Sequence, residues 1–138
     1  MKATELRIGN QLNARHHNNE SAMPEFFWLP IEIEEIQKEH ITIATGQRIP
    51  LTKDRLKSIP LTEEWFVKFK AIEKKVAGCV SEWQIFINNF ELNWDSDSGL
   101  VIFLDDSNES ITLSHIRYVH QFQNLYFDLK GEELIIKS

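Results

Sequence analysis

The chain is short of the residues that most directly announce a function. It has one cysteine, Cys79, in 138 residues, so an intramolecular disulfide is excluded and a zinc-binding cysteine cluster is absent. Five glycines leave no material for a dinucleotide fingerprint or a phosphate-cradling loop, and there is no G-x-S-x-G elbow. No apolar run approaches the roughly 20 residues that span a bilayer as a helix. The opening MKATELRIGN lacks an apolar h-region, so no secretory leader is expected. Positive charge is also scarce: 15 basic residues face 21 acidic ones, a formal net charge of −6. A reducing cytoplasm is the expected location, with no membrane partner.

What is present points to a folded core. The apolar fraction is 42%, and four tryptophans and nine phenylalanines supply large buried areas. Charge is unevenly spread. Residues 1–47 carry four basic and seven acidic side chains, residues 48–75 eight and four, and residues 76–138 three and ten. The acidic ends argue against nonspecific nucleic-acid binding, which needs a basic footprint to displace counterions. The basic middle supplies the candidate contacts for that alternative: Arg48, Lys53, Arg55, Lys57, Lys68 and Lys70. A solvated helix face is the plainer explanation of such a run.

Residues 5–12 read as a strand interrupted by a turn at Gly9-Asn10, and residues 13–25, with His16, His17, Asn18 and Asn19, as an exposed loop. Residues 26–36 form a β-type run in which Pro30 implies an edge position. Residues 41–44 return as its hairpin partner, and these short strands suggest a small curled, SH3-like unit. Ile49-Pro50-Leu51-Thr52 recurs as Ile59-Pro60-Leu61-Thr62, each a helix start with threonine at the N-cap. The first copy, cut short by Pro60, allows about one turn; the second runs on past Trp65, Phe66 and Phe69.

From Cys79 onward the pattern is a meander. Residues 80–87, 90–94, 100–104 and 111–113 are strands, separated by turns at Asn88-Asn89, residues 95–99 and residues 105–110. The last fifth is a helix over residues 114–130. Ser114 is its cap, Val119, Phe122, Tyr126 and Leu129 its apolar stripe, and Gly131 its left-handed stop. Residues 134–136 then resume as a short strand.

Three strings, ELRIGN at residues 5–10, PLTEEWFVKF at residues 60–69 and YVHQFQNLYFDLKGEEL at residues 118–134, resemble a family of small proteins encoded in Bacteroidetes genomes, often beside phage-like genes. The resemblance covers the start, the middle helix and the closing helix, and little between residues 71 and 113. It implies a cytoplasmic, prophage-related context, and it brings no activity and no catalytic residues.

Residue groups that could carry chemistry are few. His16 and His17 with Glu20 and Glu25 have no accompanying metal motif. Asp95, Asp97 and Gly99 echo the start of a calcium loop, but the chain runs straight into a strand, so a β-turn is expected. Glu32 and Glu34 share a strand face about 7 Å apart, with nothing to desolvate either. Cys79 lacks a motif-placed histidine, His115 and His120 being candidates by elimination. On the closing helix, His120, Gln121, Gln123, Asn124 and Asp128 form a polar face that is either wet or reads a partner. The neighbouring aromatics Tyr118, Tyr126 and Phe127 would add a contact patch.

The expectation is an α+β protein with a β-rich subdomain at residues 1–58 and an α+β subdomain at residues 59–138. The curled β-unit leads through a middle helix into an antiparallel meander, closed by the C-terminal helix and final strand. The expected role is a non-enzymatic protein-interaction or structural module, without cofactor or metal. Its partner would be another protein or a second copy of itself, using His120, Gln121, Gln123, Asn124 and Tyr126. A nucleic-acid-associated small barrel is the alternative.

Overall fold

The computed structural model describes residues 2–18, 25–75, 81–103, 109–134 and 136. Within them the chain is mixed α+β and mostly antiparallel sheet, with a short helix mid-chain and a longer one near the C-terminus. It divides into two units. The first comprises Met1–Ile59 with Tyr118–Asn124, the second Pro60–Arg117 with Leu125–Ser138. The closing helix is thus shared between the units, whereas the sequence assigned all of it to the C-terminal part.

The first unit opens with a 3-10 turn at Ala3–Glu5. Its strands are β1 (Gln11–Asn18), β2 (Glu25–Glu32), β3 (Glu35–Ile36), β4 (His40–Thr42), β5 (Arg48–Pro50) and β6 (Leu56–Lys57). They form two three-stranded sheets, ordered β2-β1-β6 and β3-β4-β5; this pairing does not by itself establish an SH3-like barrel. Leu12 and Ala14, Ile31 and Ile33, Ile41, Ile49 and Leu56 belong to one buried aliphatic cluster, β1 contributing alternate residues to it. Pro30 lies in β2 at a sheet edge, where its missing N–H breaks no ladder.

Two expectations for this unit need correction, and the expected single turn after the first Ile-Pro-Leu-Thr copy is found. Residues 5–8 are not strand: the 3-10 turn and the Gly9-Asn10 turn precede β1. Residues 13–18, expected as loop, are strand, paired residue for residue with β2 from Asn13 opposite Pro30 to Asn18 opposite Glu25. The polar letters misled because Asn13 and Arg15 alternate with small Ala14, the one of the three that is buried. Residues 19–24 lie outside the described residues. The first Ile-Pro-Leu-Thr copy ends β5 and then makes a single helical turn, Leu56 N–H donating to Thr52 C=O at 2.9 Å.

The second unit contains α1 (Glu63–Lys68), β7 (Ile72–Lys74), β8 (Glu82–Ile87), β9 (Phe90–Asp95), β10 (Gly99–Phe103) and β11 (Ser110–Thr112). The strands make one antiparallel sheet in the order β11-β10-β9-β8-β7, which is the expected meander extended by β7. Trp83, Ile87, Leu92, Trp94, Leu100 and Ile102 are buried and alternate with outward residues. Phe66 of α1 stacks on Trp94 with centroids 4.8 Å apart and meets Phe69 edge-on at 5.7 Å. Thr62 sits at the N-cap of α1 in extended conformation but makes no side-chain cap bond. The helix stops by paired bonds from Lys70 N–H to Val67 C=O and from Ala71 N–H to Phe66 C=O, a Schellman closure. Lys70 takes the left-handed position, φ 59°, that glycine usually fills.

The closing helix, α2, spans Val119–Lys130, so it starts five residues after the expected Ser114 cap. The reason is tertiary. Arg117 C=O accepts Leu61 N–H at 2.9 Å and is lost to a helix, while Ser114 and His115 form a turn. At the other end Gly131, φ +77°, donates to Phe127 C=O at 2.7 Å and ends the helix as expected. No strand follows among the described residues: Leu134 is buried but irregular.

Candidate functional site

The helix residues expected to read a partner are placed by α2, and the first unit uses most of them internally. Gln121 is the third helical residue, and its Oε1 accepts Tyr118 N–H at 3.1 Å, the reciprocal half of a capping box. Val119 N–H donates to Ile59 C=O at 2.9 Å, satisfying another of the helix's free amides. Gln123 is 2% exposed; its amide accepts Gln11 N–H at 2.9 Å and donates to Gly9 C=O at 3.0 Å. Asn124 donates to Glu5 C=O at 3.1 Å and accepts from Asn10 Nδ2 at 2.9 Å. Asn10 Oδ1 in turn takes Arg7 N–H at 2.7 Å.

Three side-chain amides thus tie the turn before β1 to the start of α2, each with partners at both ends. A buried polar network satisfied in this way holds one conformation, because any slip strands a polar group in low dielectric. The ELRIGN and YVHQFQN strings meet in this knot. Expected as a wet face, the Gln123 side is an interior contact.

His120 is buried, 3% exposed, and its ring stacks on Tyr118 at 6.0 Å and 10°. Burial lowers its pKa below the ordinary imidazole value, with the Glu5 carboxylate partly opposing the shift, so the neutral ring is favoured. Its Nδ1 makes no hydrogen bond among the described residues. Tyr126 is half-buried in the second unit's part of the helix, with Lys130 Nζ 5.6 Å from its ring. A side-chain hydrogen bond to Tyr126, with the attraction of that side chain and of Glu132, raises the Lys130 pKa.

The six basic candidates are divided between the two units. Arg48, Lys53, Arg55 and Lys57 belong to the first unit, Lys68 and Lys70 to the second. Lys68 is engaged with Glu64 at 3.7 Å and with the Trp65 ring at 4.4 Å, and Lys70 is the helix stop described above. Arg48 and Lys53 are exposed on β5 and on the following turn.

Arg55 and Lys57 are placed differently. Arg15 lies opposite Trp28 across β1 and β2, its N–H donates to Arg55 C=O at 3.0 Å, and Lys57 Nζ sits 4.0 Å above the Trp28 ring. Asp54, fully exposed, lies within the field of Arg15 and Arg55. Its carboxyl pKa is lowered first by hydrogen bonds from Thr52 and from its own backbone, then by those cations.

The other candidates are ordinary structure. Asp95 Oδ1 accepts Asp97 N–H at 2.9 Å and Ser98 N–H at 2.6 Å, the β-turn expected for that segment. Glu32 and Glu34 are exposed. Among the described residues no three His, Cys, Asp or Glu side chains converge as a metal group. Cys79 and Glu20 fall outside the described residues, as do the side chains of His16, His17 and Glu25. An open cleft of about 610 Å³ on the first unit is lined by Lys2, Thr4, Lys38, Glu39, Pro50 and Thr52, among others. No helix among the described residues is long and apolar enough to cross a membrane.

The second unit presents a surface the sequence reading missed. On the outward side of its sheet, Ile72 and Phe86 are each 57% exposed, with Val101 and Phe103 half-buried. The register puts Ile72, Gln84, Asn93 and Val101 in one row, and Phe86, Glu91 and Phe103 in the next. Apolar side chains thus flank a polar stripe on the central strand.

Compared with protein-family models, with curated proteins and with solved structures, the chain matches nothing. Its surfaces are what remain to be read.

The strand signal for the outward apolar face was available, since Phe86, Val101 and Phe103 alternate with the core residues. The burial of Gln123 also had a trace, because it stands four residues after Val119 and one after Phe122, within the apolar arc. Nothing local marks Asn10 as buried.

Proposed function

We propose that the chain is a non-enzymatic protein-interaction module whose contact face is the outward side of the β11-β10-β9-β8-β7 sheet. The observation that carries this reading is that exposed Ile72 and Phe86 and half-buried Val101 and Phe103 flank the polar stripe of one sheet face. Apolar side chains grouped on a solvated face mark interaction surfaces more often than isolated ones do. Glu82, Glu91 and Asp95 share that face by register, with Lys74 opposite Glu82; this net negative charge favours a partner combining apolar and basic groups over a second copy. The acidic residues 76–138 agree with this choice. The Bacteroidetes resemblance adds a cytoplasmic, prophage-related setting to the proposal.

The test uses the full chain and a Phe86→Glu variant. Both should be monodisperse and equally folded, since position 86 is exposed, and a protein retained from native lysate by the parent should be lost by the variant. A parent chain that retains nothing, or a variant that retains the same protein equally well, overturns the reading.

A further inference from the structure

The sheet edges are not alike. Each of the three sheets has two edge strands, and an edge strand presents backbone groups that another chain can pair with. β11 apart, every one of them contains a proline or a charge: Pro30 in β2, Glu35 in β3, Pro50 in β5, Lys57 in β6 and Glu73 in β7. Such residues discourage edge-to-edge pairing. β11, Ser110–Thr112, has neither, and all three of its residues are exposed. We propose that β11 is a self-association edge, at which two copies of this chain pair their β11 strands antiparallel about a two-fold axis between their Ile111 residues.

The hydrogen-bond phase of the strand specifies that partner. Register places Thr112 opposite Val101, Ile111 opposite Ile102 and Ser110 opposite Phe103. One residue further on, Leu113 N–H donates to Leu100 C=O at 2.8 Å. Bonded residues alternate along an antiparallel ladder, so Leu113 and Ile111 turn their backbone groups to β10, while Ser110 and Thr112 turn theirs to the open edge. Among the described residues nothing bonds to those outward groups. A two-fold axis at Ile111 sets Ser110 of each copy opposite Thr112 of the other. Each such pair exchanges two N–H···O=C bonds, and every open donor and acceptor of the strand is satisfied. Slipping the pairing by one residue would set these groups opposite residues that face β10, so the phase selects this register. The same axis makes the two Ile111 residues a non-hydrogen-bonded pair, the closer kind, with Cα atoms about 4.5 Å apart. Ile111 is 50% exposed, and its counterpart would cover it. The chain's net charge of −6 opposes association, but β11 contributes none of it. Pairing at this edge leaves the outward face of the sheet open and sets two such faces side by side in one continuous sheet. It is therefore independent of the protein-interaction reading.

The test is sedimentation equilibrium of the full chain. A three-residue edge buries well under the roughly 1,200 Å² of a stable interface, so the dimer should form between about 10 μM and 1 mM. The apparent mass should rise over that range from 16.2 kDa towards twice the value. Thr112→Pro removes an outward N–H from each copy and no bond to β10, and should weaken the dimer at least about tenfold. Ile111→Lys sets like charges directly opposite each other across the axis and should also weaken it. Far-ultraviolet dichroism checks that each variant keeps the parent fold. Phe86→Glu should dimerise like the parent, so failure of this proposal and failure of the protein-interaction face are read separately. The proposal is overturned by a parent that stays monomeric up to about 1 mM, or by a folded Thr112→Pro or Ile111→Lys variant that dimerises as tightly as the parent. It is also overturned by a monomeric parent that captures a different protein in a manner lost with Thr112→Pro, which would make the occupant a foreign strand.

Discussion

The two units solve the same problem with different materials. The first is a pair of three-stranded sheets around Leu, Ile and Ala side chains, locked by the amides of Asn10, Gln123 and Asn124. The second is one five-stranded sheet packed with Trp65, Phe66, Phe69, Trp83 and Trp94. Short strands bearing aliphatic residues bury little area each, so the first unit gains definition from directional hydrogen bonds. Aromatic rings bury far more per residue and add stacking of their own, so the second unit needs no comparable polar knot. The contrast extends to the surfaces, with Lys57 over a tryptophan on one and apolar residues around an acidic stripe on the other.

The sharpest way to break this comparison is to remove an aromatic. Phe66→Ala takes away both the Trp94 stack and the Phe69 edge contact and should cost about 3–5 kcal/mol, read by denaturant titration with near-ultraviolet dichroism. Amide exchange should rise in β8 to β10 before it rises in β1, and equal rises would refute separate materials for the two units.

Next in size is Gln123→Met, which keeps the volume but leaves Gln11 N–H and Gly9 C=O without their partner. A loss of about 1–3 kcal/mol is expected, with exchange fastest at the Gln11 amide. A loss near zero would mean that the knot contributes no stability to the first unit.

A smaller effect of opposite sign is expected at Lys70. Its left-handed backbone strains any side chain, so Lys70→Gly should stabilise the second unit by about 1 kcal/mol. An unchanged melting temperature would count against the Schellman closure.

The smallest effect concerns pH. His120 has its folded pKa lowered by burial, so as pH falls through the ordinary imidazole range the unfolded chain takes up the proton first. Stability should therefore be full above that range and decline below it, levelling off beneath the folded pKa. His120→Gln should remove this part of the pH dependence between neutral and mildly acidic conditions, as thermal melts would record. Identical pH profiles would show that His120 does not titrate on unfolding.

Sequence reading succeeded where a pattern was long and local. The meander strands, the Asn88-Asn89 turn, the Asp95 turn and the Gly131 stop were all legible because period-two alternation and turn chemistry act over a few residues. It failed at residues 13–18, where polar Asn13 and Arg15 flank one small buried residue, Ala14, and so look like a loop, and at the start of α2. There the deciding event is the hydrogen bond between Leu61 and Arg117, which are 56 residues apart by their numbering. The candidate surfaces were less legible still. Lys57 was singled out as a charge, but Trp28 reached it only through the β1 pairings.

By itself, then, the sequence determined the class of the protein: α+β, aromatic-rich, acidic at both ends, with a helix closed by Gly131. Those properties follow from composition and short-range periodicity. Tertiary structure alone decided that Gln123 and Asn124 turn inward to Asn10. It likewise decided that Lys70 ends a helix and that Lys57 lies over Trp28. Each is a contact between residues whose own neighbours do not reveal it, because a hydrogen bond or a ring contact depends on distance in space rather than along the chain.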